Sequence, residues 1–293
     1  MKRVLDVLGC LAAGARLTCR HVLLDALVAP ERSRRYYYNH VAAPVGEMLL
    51  RKQAEDGKLA VLEADGDDVV RQDTMPVTLF GYDRARFTVT PSELLFLCSA
   101  VRRFRPRRIL EIGTYLGNTT LHLAANAPEG ARVYTVDLPP DGGPATTDLS
   151  THDRIVASET ATALGSRFRD TPYAAKITQI LANSATYDFK RHEDSFDFIF
   201  IDASHSYEYV KKDSESALNL LAPGGLVFWH DYVSPIELTD VFRYLNELGR
   251  AVPLRHIRGT RLVYFRDPRP SRVERDAANG IEQLNKLETG RRG

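Results

Sequence analysis

Acids, glycines and histidines recur in this chain at the ends of apolar runs, where they could do chemistry. The stretch from Arg108 to Ala124 reads RILEIGTYLGNTTLHLA. Its apolar start predicts a buried strand, the glycines a sharp turn, and the remainder a helix. Gly113 and Gly117 allow backbone angles and close approaches that a Cβ would forbid. Asn118 and Thr119 suit the start of a helix, where unpaired N–H groups face whatever lies in front of them. Glu111 closes the strand with a carboxylate able to accept hydrogen bonds from an amine or hydroxyls.

The pattern E-x-G-x-x-x-G differs from G-x-G-x-x-G, in which a pyrophosphate rests on a helix N-terminus. A carboxylate just before the first glycine would repel a pyrophosphate. It would suit a cationic ligand such as the aminoacyl sulfonium of S-adenosylmethionine. An ordinary strand–turn–helix of an α/β domain is the competing explanation. A second acid weakens that alternative: ARVYTVDLPP ends its apolar run at Asp137, 24 residues after Gly113. An acid closing the second strand of a βαβ unit binds ribose hydroxyls.

The elements that must position these groups follow from periodicity. Candidate strands are 108–112, 132–136, 177–181, 197–201, 225–229, 254–257 and 261–265. Helical patterns alternate with them, which predicts a doubly wound, Rossmann-like, mostly parallel seven-stranded sheet covered on both faces. The last two strands are joined only by Arg258-Gly259-Thr260, too short for a parallel crossover, so an antiparallel edge hairpin is expected. TPSELLFLCSAVRRF opens with a capping box, Thr90 at the N-cap, Pro91 at N1 and Glu93 at N3. SYEYVKKDSESALNLLAPGG reads as a helix stopped by Pro223-Gly224-Gly225.

In such a sheet, ligands sit outside the carboxyl ends of the strands. The residues just past each strand are Glu111 and Gly113, then Asp137, then Asn183 and Ser184, then Asp202 and His205, then His230 and Asp231. Acids and histidines from distant parts of the chain therefore converge on one rim. Asn183 and Ser184 are polar groups suited to face an adenine. Trp229, beside His230, is read as buried sheet.

The rest of the chain is divided by pattern. Residues 1–80 form a helical extension for substrate or oligomer contacts, 81–268 the catalytic domain, and 269–293 a charged tail. The apolar positions Val4, Leu5, Leu8, Leu11 and Ala12 fit a docking helix, but charges interrupt every run before membrane-spanning length. The Arg–Tyr cluster from Arg32 to Tyr38 reads as a half-exposed helix, and the segment 45–57 as a further helix. About forty residues separate Asp137 from Ile177, more than a crossover needs. That insertion, with a helix expected at 154–168, is either a lid or a surface loop. With 44% hydrophobic and 26% charged residues and a net charge of +1, nothing points to nucleic acid or an anionic membrane. Three scattered cysteines give neither a disulfide framework nor a zinc site, so a reducing, cytoplasmic setting is expected.

The order LEIG…G, TVDLP, ANSATYDF, FIDASHSYEYVKKD, LLAPGGLVFWHDY resembles class I S-adenosylmethionine-dependent methyltransferases. More narrowly, it resembles the branch with cephalosporin-hydroxylase-like and macrolide-sugar O-methyltransferases, over residues 90 to 266. The resemblance implies that Glu111, Gly113, Tyr115, Gly117, Asn118 and Thr119 line the cofactor, with Asp137 and Leu138 at its ribose and Asn183 and Ser184 by its adenine. It implies that Asp202 touches the cofactor and, with His230 and Asp231, holds Mg²⁺. Catechol-type relatives place a lysine base where this chain has His205, and His230 departs from their acidic pair.

A Mg²⁺ on carboxylates would lower the pKa of an acceptor hydroxyl, and a neutral His205 would take its proton. Simpler roles stay open. Asp202 and His205 could merely cap the helix after Ser206, and His230 could orient Asp231. The expected activity is metal-assisted O-methylation of a small polar metabolite, sugar or natural product by a homo-oligomer. A metal-independent N-methyltransferase and a non-catalytic cofactor-binding partner are the alternatives. A nicotinamide enzyme is disfavoured by Glu111.

Overall fold

The computed structural model describes residues 59–67, 69, 70, 75–81, 88–140, 153, 156, 162–191, 195–232 and 240–271. The expected N-terminal helix, the Arg32–Tyr38 cluster, the helix at 45–57, the segment 141–150 and residues 272–293 of the charged tail lie outside these residues. Asp153 and Val156 are helical, and the described end of the expected 154–168 helix is a short turn, α3 (Ser166–Arg169).

All seven expected strands form, as β2 (Arg108–Ile112), β3 (Arg132–Asp137), β4 (Ile177–Leu181), β5 (Phe196–Ile201), β6 (Leu221–Trp229), β7 (Arg255–Ile257) and β8 (Val263–Arg266). An eighth, β1 (Leu62–Ala64), comes from the region read as helical or irregular. Only three residues long, it is below the length at which alternation is visible in a sequence. The order is β1-β7-β8-β6-β5-β2-β3-β4. β8 runs antiparallel to both β6 and β7, and the other pairs are parallel. The antiparallel hairpin thus has β8 inside the sheet, and β1 covers the outer side of β7. A lone edge strand would leave its backbone N–H and C=O groups unpaired.

The core explains why the strands read as continuous apolar runs. Both faces are covered, so side chains of both parities are buried. On β5, Phe198 and Phe200 pack with Leu97 and Val101 of α1 (Pro91–Phe104) and Leu123 of α2 (Asn118–Asn126). Ile199 and Ile201 point the other way, against Val210 and Ala217 of α4 (Tyr207–Leu220) and Leu245 of α5 (Asp240–Leu248). Trp229 is fully buried and its Nε1 donates to Ser214 Oγ at 2.8 Å, so it is core as expected. The Pro223-Gly224-Gly225 segment lies within β6 rather than before it. It forms a bulge, since Phe196 pairs with Leu221 but Phe198 already pairs with Leu226.

The chain runs from β2 outward to β3 and β4, then crosses back to place β5 on the other side of β2. That reversal is a topological switch point, and it opens a crevice at the carboxyl ends of β2 and β5.

One acid on α4 is buried. Asp213 on α4 is 1% exposed, and its Oδ1 has no hydrogen-bond partner among the described residues. Burial pushes its carboxyl up to about 7, against a smaller opposing contribution from a hydrogen bond with Ser184. The unfolded chain loses this proton near pH 4 while the folded chain keeps it to about pH 7, so stability falls as pH rises through that window. Asp213→Asn is expected to flatten this slope and to stabilise the protein at pH 8 by roughly 1–4 kcal/mol. Denaturant unfolding at pH 5 and pH 8 checks it. An equal gap between variant and wild type at both pH values would refute the assignment.

Candidate active site at the C-terminal rim of the sheet

The turn after β2 is built by glycine. Gly113 has φ +106°, and a Cβ there would lie 1.9 Å from the carbonyl oxygen of Asp202. Only a residue without a side chain lets the β2 turn close onto the end of β5. Gly117, with φ +82°, is the N-cap of α2, and a Cβ on it would strike the Phe168 ring at 2.5 Å. Tyr115 also adopts a left-handed conformation, with φ +49°. Its N–H donates to Asp137 Oδ2 at 2.8 Å, and the Leu138 N–H donates to Asp137 Oδ1 at the same distance. Burial raises the Asp137 pKa, while these backbone donors pull it back. Asp137 is therefore fixed at the mouth of the glycine turn.

Three of the predicted residues, Glu111, Asn118 and Asn183, are buried. Glu111 is 1% exposed and accepts hydrogen bonds from Thr120 Oγ1 and, at 2.7 Å, from Thr135 Oγ1. Burial pushes it up to about 8, so near neutral pH it is largely a protonated carboxyl bracing β2, β3 and α2. Asn118, at the first turn of α2, is buried. Its Nδ2 has no partner among the described residues, a donor suited to a ligand. Thr119 beside it is half-buried. Asn183 is buried, with Nδ2 donating to Tyr209 OH at 3.1 Å and Oδ1 accepting from the Ala185 N–H. Ser184 contacts Asp213.

The acid–histidine cluster does assemble. His230, at the end of β6, is buried, with Nδ1 at 3.0 Å from Asp202 Oδ1 and 3.2 Å from Asp231 Oδ2. His205 Nε2 lies 2.9 Å from Asp231 Oδ2. Asp231 itself has φ +57°, a conformation uncommon outside glycine. Three partners missed in the sequence complete the group. Glu93 on α1 is buried, and its Oε2 meets His230 Nε2 at 3.2 Å. Arg261, in the β7–β8 connection, donates from Nη1 to Asp231 Oδ1 at 2.6 Å and from its backbone N–H to Glu93 Oε1 at 2.7 Å. Asp153, from the insertion, accepts from Ser204 Oγ at 2.8 Å and the His205 N–H at 3.1 Å, and lies 2.8 Å from His205 Nδ1. Glu93 was visible as a capping residue, and it still caps, but its second role depends on where α1 lands. Nothing local marked Arg261 or Asp153.

These contacts set the charge states. Burial alone would lower the pKa of His205, but hydrogen bonds and charge from Asp153 and Asp231 outweigh it and raise it well above the usual value. His230 behaves alike: the charges of Asp202, Asp231 and Glu93 overcome burial and the opposing Arg261. Conversely, burial would raise Asp231, but His230 and Arg261 hold it well below the ordinary carboxylate range. Glu93 is lowered in the same manner, with burial opposed by His230 and Arg261. Both imidazoles therefore carry protons in this arrangement. That differs from the neutral His205 expected from its unperturbed pKa, because two carboxylates bracket the ring.

The donor set fits a divalent cation. One ligand atom each from Asp202, His230 and Asp231 lie within 4.8 Å of one another. Two hard oxygens and one imidazole nitrogen match such an ion, whose charge would stand in for the imidazole protons.

A family model described as a methyltransferase domain matches residues 110–232. A Mycobacterium tuberculosis protein described as a probable O-methyltransferase is 35% identical over 104 residues, covering 33% of this chain and 44% of that protein. The chain thus spans less than half of that relative's length. Among solved structures, an O-methyltransferase of Streptomyces achromogenes that acts in tomaymycin synthesis, in complex with S-adenosylmethionine, is similar at TM-score 0.47 and 20% identity over 62% of this chain and 82% of that one. A Bacillus cereus O-methyltransferase in complex with S-adenosylhomocysteine gives 0.43 and 23%, over 62% and 83%. No helix among the described residues is long and apolar enough to cross a membrane.

Two substitutions test this geometry. Gly113→Ala is expected to destabilise the fold by roughly 3 kcal/mol or more, because it combines a backbone clash with an unfavourable φ. A melting temperature equal to wild type would show that the turn does not close on Asp202. Asp153→Ala removes the acceptor of the Ser204–His205 loop and should cost about 1–3 kcal/mol, with faster amide exchange at His205. Unchanged exchange there would mean that Asp153 does not hold the loop.

Proposed function

We propose that this chain, which matches a methyltransferase-domain model over residues 110–232, transfers the methyl group of S-adenosylmethionine to a hydroxyl oxygen of a small polar metabolite, sugar or natural product. One observation carries this reading. The glycine turn of β2 lies against the backbone of Asp202, so a cradle suited to the cofactor and the acid–histidine cluster share one crevice. The likeness to an O-methyltransferase over 104 residues supports oxygen as the accepting atom.

The roles follow from placement. Gly113, Tyr115, Gly117, Asn118 and Thr119 form the cradle, with the Asn118 Nδ2 as a buried donor. Glu111 braces the cradle from below. Asp137, its carboxylate oriented by the Tyr115 and Leu138 N–H groups, accepts the ribose hydroxyls. Asn183 and Ser184 flank the adenine. The sulfonium methyl arrives activated, so the chain has two tasks: to align the acceptor oxygen and to remove its proton. His205 acts as the base once Nε2 has lost to solvent the proton it shares with Asp231, as it would when a bound cation neutralises that carboxylate; Asp153 keeps Nδ1–H, and the freed Nε2 takes the hydroxyl proton. Asp202, His230 and Asp231 would hold a divalent ion, Mg²⁺ by the family resemblance, whose charge would lower the hydroxyl pKa. The acceptor is a small molecule, and the chain acts in the cytoplasm as a homo-oligomer without nucleic acid or membrane.

A metal-free reading has one observation in its favour: Arg261 already places a cation 2.6 Å from Asp231 Oδ1. Full turnover after exhaustive chelation would select it.

Calorimetry should find one molecule of S-adenosylhomocysteine bound per chain and no NAD. Asp137→Ala should weaken binding at least about 10-fold, or roughly 1.4 kcal/mol. Binding of NAD instead would end the proposal. With a labelled methyl donor and a productive acceptor, His205→Ala should lower kcat by about 10²–10⁴. Unchanged kcat would remove His205 from the chemistry.

A further inference from the structure

His230 stands where an oxygen donor would make the site uniformly hard, and its ring is held from behind. Glu93 is an acceptor with its lone pairs directed at donors. Its Oε2 receives Thr90 N–H and Thr90 Oγ1–H, each at 2.8 Å, and its Oε1 receives Arg261 N–H at 2.7 Å. Facing such a group at 3.2 Å, the His230 Nε2 must be the protonated nitrogen. The opposite nitrogen, Nδ1, is then the one that faces Asp202 and Asp231 at 3.0 and 3.2 Å. The ring is buried beside Phe200 and clamped at both nitrogens, so turning it would leave Glu93 without this donor.

A carboxylate behind a histidine, on the side away from the ligand atoms, fixes tautomer and aim and raises the basicity of the coordinating nitrogen. Imidazole nitrogen is a poor partner for Mg²⁺, which prefers oxygen and retains its waters. It is a good partner for first-row transition ions. We infer that Asp202, His230 and Asp231 bind a first-row transition ion, through Nδ1 of His230, in preference to Mg²⁺, with Glu93 as the residue that positions the imidazole. This rests on the reading that these three residues hold a divalent cation, and it replaces the ion that the family resemblance implies. Glu93 touches neither ion nor substrate; it acts on the ligands through His230 and, by its contact with Arg261, from behind Asp231. It also ties the ion to α1, an element outside the matched methyltransferase segment.

The test uses the full chain, stripped with chelator and dialysed, then titrated with Mn²⁺ and followed by electron paramagnetic resonance. One Mn²⁺ per chain is expected, retained against a 100-fold excess of Mg²⁺, with pulsed spectra showing coupling to one imidazole ¹⁴N. Glu93→Gln should weaken Mn²⁺ about 10–100-fold and alter the nitrogen coupling. Because Glu93 also caps α1, His230→Asn supplies an independent comparison. Its hard amide oxygen should abolish the coupling and let Mg²⁺ compete. Bound Mn²⁺ without nitrogen coupling, or displaced by equimolar Mg²⁺, overturns this inference and leaves the divalent-ion reading standing. No ion bound by the wild-type chain overturns both.

Discussion

The rim of this sheet depends on one constraint: carboxylates withdrawn in part or wholly from water must be matched by cations. Asp153, Asp202, Asp231 and Glu93 meet around two imidazoles and one guanidinium. An isolated carboxylate in such surroundings would be strongly disfavoured or would take up a proton. Interleaving His205, His230 and Arg261 makes the arrangement tolerable. It also makes it collective, since each acid holds a cation that another acid needs. The network draws in α1 through Glu93, the insertion through Asp153, the strand hairpin through Arg261, and the ends of β5 and β6 through Asp202 and Asp231.

Two other acids, outside this network, show the opposite solution. Glu111 and Asp213 are buried, no described cation pairs with them, and burial pushes both up, to about 8 and about 7. Threonine hydroxyls serve Glu111, and Ser184 serves Asp213. Acids of the same type, within one small domain, are thus charged or neutral according to whether a cation lies within reach. The acids paired with cations lie at the rim, while Glu111 stiffens the strand beneath the glycine turn.

The two halves of the site are joined by backbone. Gly113 N–H donates to Val136 O at 2.9 Å, and Asp202 N–H donates to Ile112 O at 2.8 Å. The β2 turn is thereby locked to β3 on one side and β5 on the other. A cofactor in the first half and an acceptor in the second would be held at a distance set by main-chain geometry. Effective alignment of reacting atoms needs such rigidity.

The doubly wound fold was legible in the chain because strands buried on both faces are mostly apolar, and short runs such as Arg108–Ile112 and Phe196–Ile201 alternate with longer helical patterns. Gly113, Asp137, Asp202, His205, His230 and Asp231 were legible because a parallel sheet brings strand ends to one rim wherever they fall in sequence. Tertiary structure alone decided the rest. β1 is too short for a pattern, and β8 entered the sheet beside β6 through pairing that no local signal encodes. Glu93, Asp153 and Arg261 look like a cap, a loop acid and a hairpin arginine until folding brings them to the histidines. The protonation of His205 was likewise beyond the sequence, because a pKa is set by the charges that surround a group in space, and neighbours in the chain need not be neighbours there.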